Sequence, residues 1–559
     1  MQQQDNSLTD IYKDVVIIGN GPSGICLSYL LAGNWPHYTG EAHKGDEMLT
    51  ARLRYSVLTH GCSLNGAEEE VIARESEFPV YQKALREKKD YGSHCLVRLS
   101  QRKNLERLSS GLEGRNNGKP LSLLMDQLQH PCLDAGLDMS SLLDWKSPEE
   151  HVEHRPIDHV LLGKGPSGGT WHALDPNVLT ISLNRWMSLP GLDLRQWKVN
   201  LDAEEREQKL PYFNSETEIG TNCSLTRVPI GTVAAYYKDY VMKQGLDKYI
   251  RCGTVVTSVK AIPCVANNEK EYGWLVQGYE TETGQTFQYR CKRVVLATGT
   301  TDLSNRLGVS GEETYNWVTH DYQDFERKLD RLNCPLRTNV QINNKYDPVE
   351  AKANIEPLLI IGSGLSAADA IMAARSRGIS VLHVFRSNSK DRSGKMDRKK
   401  NLDKLRWLPA SVYPEYHRVY EMMADKGRNY HFYKSLPDHV VIDFSASADK
   451  YTRTKMRKVT LCTPQGRLIS YRVSFAAVFI GSKPDLSYLQ NNGIGLGKVE
   501  EKRIDSRSNP IDVDVFTYQV TRAPRKGLYA IGPLVGDNFV RFILGGAFGV
   551  LASILHTPE

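Results

Sequence analysis

Twice in this chain an unbroken apolar run ends in a glycine-rich turn that opens a helix. The first is Asp14-Val15-Val16-Ile17-Ile18, followed by Gly19-Asn20-Gly21-Pro22-Ser23-Gly24, with Leu27, Leu30 and Leu31 on one helical face beyond it. The second is Pro357-Leu358-Leu359-Ile360-Ile361, followed by Gly362-Ser363-Gly364-Leu365-Ser366-Ala367 and an alanine-rich stretch to about Arg375. A strand covered on both faces reads as such a run, and strand, turn and helix together open a βαβ unit. In the spacing GxGxxG the first glycine makes the turn, the second clears the space in front of the helix, and the third lets helix and strand pack closely. Gly19, Gly21 and Gly24 fill all three positions; in the second copy Ala367 takes the third, which the pattern allows. A helix N-terminus presented this way suits a pyrophosphate, because its N–H groups and dipole both favour an anion. One such turn is weak support, but two in the right strand–helix context, about 340 residues apart, point to two nucleotide sites. The expected fold class is therefore α/β, with two dinucleotide-binding, Rossmann-like domains.

Further strands fit this plan. Arg293 to Gly299 and Phe475 to Gly481 are apolar runs ending in glycine, and Gly527 to Gly532 precedes Gly536-Asp537 and a helix from about Leu544. The stretch 34–155 is polar, shows helical pieces such as Leu121 to Leu128, and lacks strand alternation, Trp35 to Tyr38 included. It reads as a largely helical insertion, which leaves His159 to Leu162 as the second strand of the first domain. The expected division is a first nucleotide domain over 1–350, a second over 351–478, and a return to the first over 479–559.

The end of each second strand meets the adenosine ribose, where a carboxylate binds a 2′-hydroxyl and an arginine a 2′-phosphate. In the second domain that strand ends Val384-Phe385-Arg386, with Lys390 and Arg392 behind, so Arg386 favours NADPH over NADH. In the first, Glu41 has the right spacing but no strand leading to it, and His159 to Leu162 runs into Lys164 instead of an acid. How that ribose is held stays open.

Composition narrows the partners. A formal net charge of +6 over 559 residues is too small to make nucleic acid the main partner. The ten cysteines form no CxxC pair, which fits a reducing compartment and argues against a zinc knuckle or a redox dithiol. The polar, acidic start lacks a signal-peptide pattern, and Phe542 to Leu555 is too short to span a bilayer. The expectation is a soluble, cytoplasmic protein without a transmembrane segment, with peripheral association with an organelle left open. His151, His154 and His159 read as a polar loop, and no metal is expected. The run 390–406 holds eight basic residues against three aspartates and reads first as a solvated loop, with NADPH, an acidic partner or anionic lipid as its other uses.

Gly165-Pro166-Ser167-Gly168-Gly169-Thr170-Trp171-His172 resembles the Gly-Gly-x-Trp stretch of flavin-containing monooxygenases and amino-acid N-hydroxylases, and Ala297-Thr298-Gly299 resembles their hinge strand. Long blocks extend the likeness over nearly the whole chain to one branch of these flavoproteins, the oxidative stress-induced growth inhibitor family: Val16 to Leu31, Ile360 to Ala370, Tyr413 to His417, Asn509 to Asp514 and Gly536 to Phe542. The resemblance implies an FAD-containing, NADPH-dependent monooxygenase acting on a small molecule with O2, and a role in growth, cell death or cell division, with a protein partner possible there. It assigns Gly19, Gly21, Pro22, Ser23 and Gly24 to FAD, with Trp171 and His172 beside the flavin and Asp537 accepting from a ribityl hydroxyl. It places the N-terminus of the helix near Gly545-Gly546 at the flavin ring. Gly362, Ser363, Gly364 and Ser366 fall to NADPH, with Arg386 on its 2′-phosphate. Packing for Trp171, a satisfied structural role for His172, helix capping for Asp537 and a helix start for Tyr413 to His417 are the plainer readings. No catalytic side chain is singled out. The competing function is a catalytically weak flavoprotein-fold scaffold that senses nucleotide or binds a protein partner.

Overall fold

The computed structural model describes residues 10–61, 94–112, 118–208, 226–267, 270–333, 356–387, 389–390, 396–397, 405, 408–448 and 455–556. The chain divides into two compact units, one of residues 1–300 with 484–559 and one of residues 301–483.

The first unit is built on a seven-stranded sheet. Its parallel part runs, in spatial order, Ile250–Arg251, His159–Leu162, Ile11–Ile18 and Thr286–Leu296, with Leu528–Ala530 parallel to the last of these. Numbered along the chain, that is strand order 3-2-1-4-5, the doubly wound order, whose switch point lies between Ile11–Ile18 and Thr286–Leu296. Two long antiparallel strands, Thr254–Asn267 and Lys270–Glu280, extend the sheet beyond Thr286–Leu296. Val15, Val16 and Ile17 are wholly buried, as an apolar run covered on both faces requires. The helix Pro22–Leu31 is buried along its length after Pro22 and packs on Ile543–His556, which is apolar all round and correspondingly buried.

The insertion is helical at Glu47–Gly61, Arg102–Ser109 and Pro120–Gln129, but it also contains strands that its sequence does not announce. Trp35–Tyr38 is a strand, paired antiparallel with His94–Cys95 on one side and Leu143–Lys146 on the other, in a small sheet of its own. All four residues of Trp35–Tyr38 are buried, so no polar face alternates with an apolar one and the period of two is hidden.

The second unit carries a five-stranded sheet, entirely parallel, in the order Val318–Thr319, Ala476–Val478, Leu358–Ile361, Val381–Phe385, Tyr433–Pro437. Counted from Leu358–Ile361, four of these strands again run 3-2-1-4, and the glycine turn after Leu358–Ile361 leads into the helix Leu365–Ser376. A three-stranded antiparallel sheet, Val440–Ala448, Lys455–Cys462 and Leu468–Arg472, completes it. The division at Thr300 precedes the boundary expected near 350, because Leu303–Ser304 pairs with Ser482–Lys483 and Val318–Thr319 with Ala476–Val478. Arg392 and most of the basic run 390–406 lie outside the described residues. Among the described residues no helix is long and apolar enough to cross a membrane.

Candidate functional site

Each glycine turn sits at the carboxyl end of the central strand of its sheet, at the switch point, where ligands of doubly wound folds bind. Gly19 has φ +112°, and a Cβ on it would lie 2.4 Å from the Ala297 carbonyl oxygen, at the end of the strand across the switch point. Gly362 repeats this in the second unit: φ is +138° and a Cβ would lie 2.1 Å from the Phe479 carbonyl oxygen. The first glycine of each turn is therefore required by the neighbouring strand. Gly24 is required by the turn itself, since its Cβ would fall 2.0 Å from the Gly19 carbonyl oxygen. Ala367, which takes that place in the second turn, is buried without such a collision.

The middle glycines differ in kind. Gly21 and Gly364 are the N-cap residues of their helices, with ordinary extended dihedrals, and a Cβ on either would meet nothing within 4 Å. Their missing side chains hold space open directly before a helix N-terminus. In the first turn Pro22 occupies N1, where its missing N–H costs nothing, leaving the N–H groups of Ser23 and Gly24 without intrahelical acceptors. In the second, Leu365, Ser366 and Ala367 supply three such groups. Ser363 and Gly364 are half-buried and Ser366 is exposed. Both turns thus have the open cradle and oriented donors that a dinucleotide pyrophosphate needs.

Around the first turn the structure gathers several expected residues. The Asn20 carboxamide donates to the Gly165 carbonyl at 2.7 Å, and the Gly168 N–H donates to the Asn20 carbonyl at 2.9 Å. Gly169 lies against Gly21, where its Cβ would come within 3.2 Å of the Gly21 Cα. The segment Gly165 to His172 is thereby clamped onto the cradle. Trp171 packs edge-on against Tyr237, and the His172 Nε2–H donates to the Ser167 carbonyl at 2.8 Å, a satisfied structural arrangement. On the other side Gly532 lies against Ser23, its Cβ position 2.3 Å from the hydroxyl, and the Asp537 N–H donates to the Gly532 carbonyl.

Asp537 itself is buried, and its carboxylate accepts from Lys119 Nζ at 3.1 Å and from the Tyr518 hydroxyl at 3.0 Å. Burial raises the Asp537 pKa and lowers that of Lys119, and their mutual attraction opposes both shifts. Asp537 does not cap the helix Ile543–His556, which begins six residues later. Gly545 and Gly546 are explained by packing: a Cβ on Gly545 would lie 2.4 Å from the Ser122 Cα, and one on Gly546 would lie 3.1 Å from the Tyr518 ring.

In the second unit Arg386 is exposed at the end of Val381–Phe385, and the next residue, Ser387, donates its N–H to Asp438 at 2.7 Å. Tyr413 to His417 form the start of the helix Pro414–Ala424, with Tyr416 buried. At the end of the second strand of the first unit, Lys164 is paired with Asp485 at 3.4 Å, so an acid absent from the local sequence arrives there from the far end of the chain.

Two buried histidines brace this framework: His383, which carried no expectation, and His159, expected in a polar loop but in fact the buried first residue of the strand His159–Leu162. In the second unit His383 donates from Nε2 to the Gly362 carbonyl at 2.6 Å and accepts at Nδ1 from Tyr433. In the first unit His159 donates from Nδ1 to the Ile157 carbonyl at 2.8 Å and accepts at Nε2 from Ser28. A polar ring in an otherwise apolar strand was the available signal for each. Burial lowers both to about 4, so each is neutral in the fold and regains its ordinary proton affinity on unfolding. The unfolded chain then binds more protons between about pH 4 and 6.5, and stability falls as pH drops through that window. Lowering the pH from 7 to 5 is expected to cost each unit about 2 kcal/mol through its histidine, read as a lower urea midpoint. Replacing His383 by glutamine should remove that dependence from the second unit.

No protein-family model matches the chain. Oxidative stress-induced growth inhibitor 1 of Homo sapiens is 35% identical to it over 553 residues, covering 97% of this chain and 95% of that protein. Solved structures similar in fold include a bacillithiol disulfide reductase of Bacillus cereus, with a TM-score of 0.48 and 13% identity, covering 97% of this chain and 100% of that one. Another is an ornithine hydroxylase of Pseudomonas aeruginosa, with a TM-score of 0.47 and 11% identity, covering 98% of this chain and 100% of that one. By its likeness along almost its entire length, the chain belongs to the oxidative stress-induced growth inhibitor family.

Proposed function

We propose that the cradle at Gly21 holds FAD, that the cradle at Gly364 holds NADPH, and that the chain is an NADPH-dependent flavin monooxygenase restraining growth or directing cell death or division. The observation that carries this reading is the duplicated construction: two open helix N-termini, each at the switch point among the parallel strands of its own sheet. FAD, when bound, supplies the redox and oxygen chemistry; the reductant comes from NADPH and the oxygen from O2. The work of this chain's residues is to bind and orient. Ser23 and Gly24 donate to one pyrophosphate and Leu365, Ser366 and Ala367 to the other, with the helix dipoles offsetting the anionic charge. Arg386 pairs with the 2′-phosphate, and the clamped segment Gly165 to His172 sets Trp171 and His172 beside the flavin. Asp537 faces the ribityl chain with the lone pairs that Lys119 and Tyr518 leave.

A second reading, a weakly active scaffold that senses nucleotide or binds a protein partner, is favoured by that same aspartate, both of whose oxygens already accept hydrogen bonds. Oxygen uptake by the FAD-loaded chain separates the two. Uptake driven by NADPH, with Arg386→Glu raising the KM for NADPH roughly 10- to 100-fold and sparing that for NADH, supports the enzyme. FAD binding without NADPH-driven uptake supports the scaffold.

A further inference from the structure

Within the first unit, the small sheet of the insertion brings together side chains that the sequence places far apart. His37 on Trp35–Tyr38 and Cys95 on His94–Cys95 are direct cross-strand partners, so their side chains stand on the same face. The loop after Leu143–Lys146 returns His154 to this pair. The His154 Nε2 lies 3.1 Å from the His37 Nε2 and 3.9 Å from the Cys95 Sγ, and the three donor atoms fall within 4.8 Å of one another. All three residues are buried, and no other such group occurs among the described residues. The expected polar loop around His151 and His154 is thus in part a buried cluster, with the His151 ring stacked on His154.

We propose that His37, Cys95 and His154 bind one zinc ion, joining two strands of the insertion sheet and the loop that follows the third through a single centre.

Three features support this. Tetrahedral zinc with ordinary bond lengths sets two imidazole nitrogens about 3.3 Å apart and a nitrogen and a thiolate about 3.6 Å apart, close to the two spacings at the His154 Nε2, 3.1 Å to His37 and 3.9 Å to Cys95. The His154 Nδ1–H donates to the Lys146 carbonyl at 3.1 Å, which fixes the tautomer and leaves the Nε2 lone pair facing the cluster, the usual outer support of a metal-bound histidine. The His37 Nδ1 is buried without a hydrogen-bond partner, so hydrogen bonding on both sides does not explain that ring. With three protein donors the fourth position falls to water or another small ligand. A thiolate with two neutral imidazoles suits zinc better than calcium or magnesium, which prefer oxygen.

The test is zinc titration of the chelator-treated full chain, followed by X-ray absorption of the zinc-loaded protein. The expected result is one zinc per chain bound tighter than about 1 μM, with one sulfur near 2.3 Å and two imidazole nitrogens near 2.0 Å, roughly the distances of ordinary zinc sites. Cys95→Ser should remove the sulfur from the metal shell. Absence of stoichiometric zinc, a shell with no sulfur or several, or a shell unchanged in Cys95→Ser overturns the proposal. The absorption spectrum of the wild-type protein decides the matter if the variant does not fold.

Discussion

Gly21→Asp is expected to lose FAD binding by at least about 100-fold while the first unit keeps its stability. The two effects separate because of where the Cβ points. Gly21 has dihedrals open to any residue and nothing within 4 Å of its Cβ position, so the substitution strains no backbone and displaces no neighbour. Aspartate is also among the best N-cap residues and glycine a fair one, so the helix Pro22–Leu31 should gain, not lose, roughly a few tenths of a kcal/mol. The new carboxylate, however, occupies the phosphate position and brings a like charge to it, turning the helix N-terminus from an anion site into a filled one. Gly24→Asp is the contrasting variant: its Cβ would lie 2.0 Å from a backbone oxygen, so the turn itself must move and the protein should be destabilised. Gly364→Asp should do to NADPH what Gly21→Asp does to FAD, leaving FAD in place. Binding titrations with each nucleotide, beside urea unfolding, check all three. FAD affinity unchanged in Gly21→Asp would mean that the pyrophosphate lies elsewhere.

The second large effect belongs to Arg541. Its guanidinium meets Asp126 and Asp134, donating to Asp126 at 3.0 Å from Nε and to Asp134 at 2.6 Å from Nη1, and it lies 4.5 Å from the centre of the Trp186 ring. Burial works to lower the arginine's pKa, but the two carboxylates outweigh it and raise it. Asp126 is 1% exposed, on the insertion helix Pro120–Gln129, so the ion pair ties the insertion to the carboxyl end of the chain. Arg541→Met should destabilise the first unit by about 3–5 kcal/mol, most of it the penalty of leaving a buried carboxylate without its main cation. Asp126→Leu combined with Arg541→Met should recover much of that loss, since removing both charges removes the penalty. Urea unfolding of the two single variants and the pair gives the cycle. A loss below about 1 kcal/mol in Arg541→Met would place the pair among solvated surface contacts.

What the sequence makes legible depends on the range of the interaction. The two glycine turns, the strands flanking them and the second strand at His159–Leu162 are local patterns, and the α/β fold with paired parallel sheets follows from them. The reason for Gly19 and Gly362 is not local. Each is dictated by a carbonyl on a strand far along the chain, Ala297 or Phe479, and only the strand order reveals it. Trp35–Tyr38 was missed as a strand because full burial erases alternation. Lys119, the partner of Asp537, comes from the insertion 418 residues earlier. The histidine and cysteine cluster is hidden for the same reason: His37, Cys95 and His154 carry no metal-site spacing, and cross-strand pairing of the first two, with the loop that returns His154, makes them neighbours. Arg386 shows the converse, a residue whose place at the end of the strand Val381–Phe385 follows from the apolar run before it.

The account stands on two phosphate cradles serving one flavin and one reductant. Its most direct measurement is the visible spectrum of the FAD-loaded full-length chain, recorded without oxygen before and after NADPH. The expected result is an oxidised flavin spectrum that NADPH bleaches and air restores, with Gly21→Asp colourless and Gly364→Asp yellow but slow to bleach. A wild-type chain that takes up no FAD, or holds it and does not bleach with NADPH, contradicts the account.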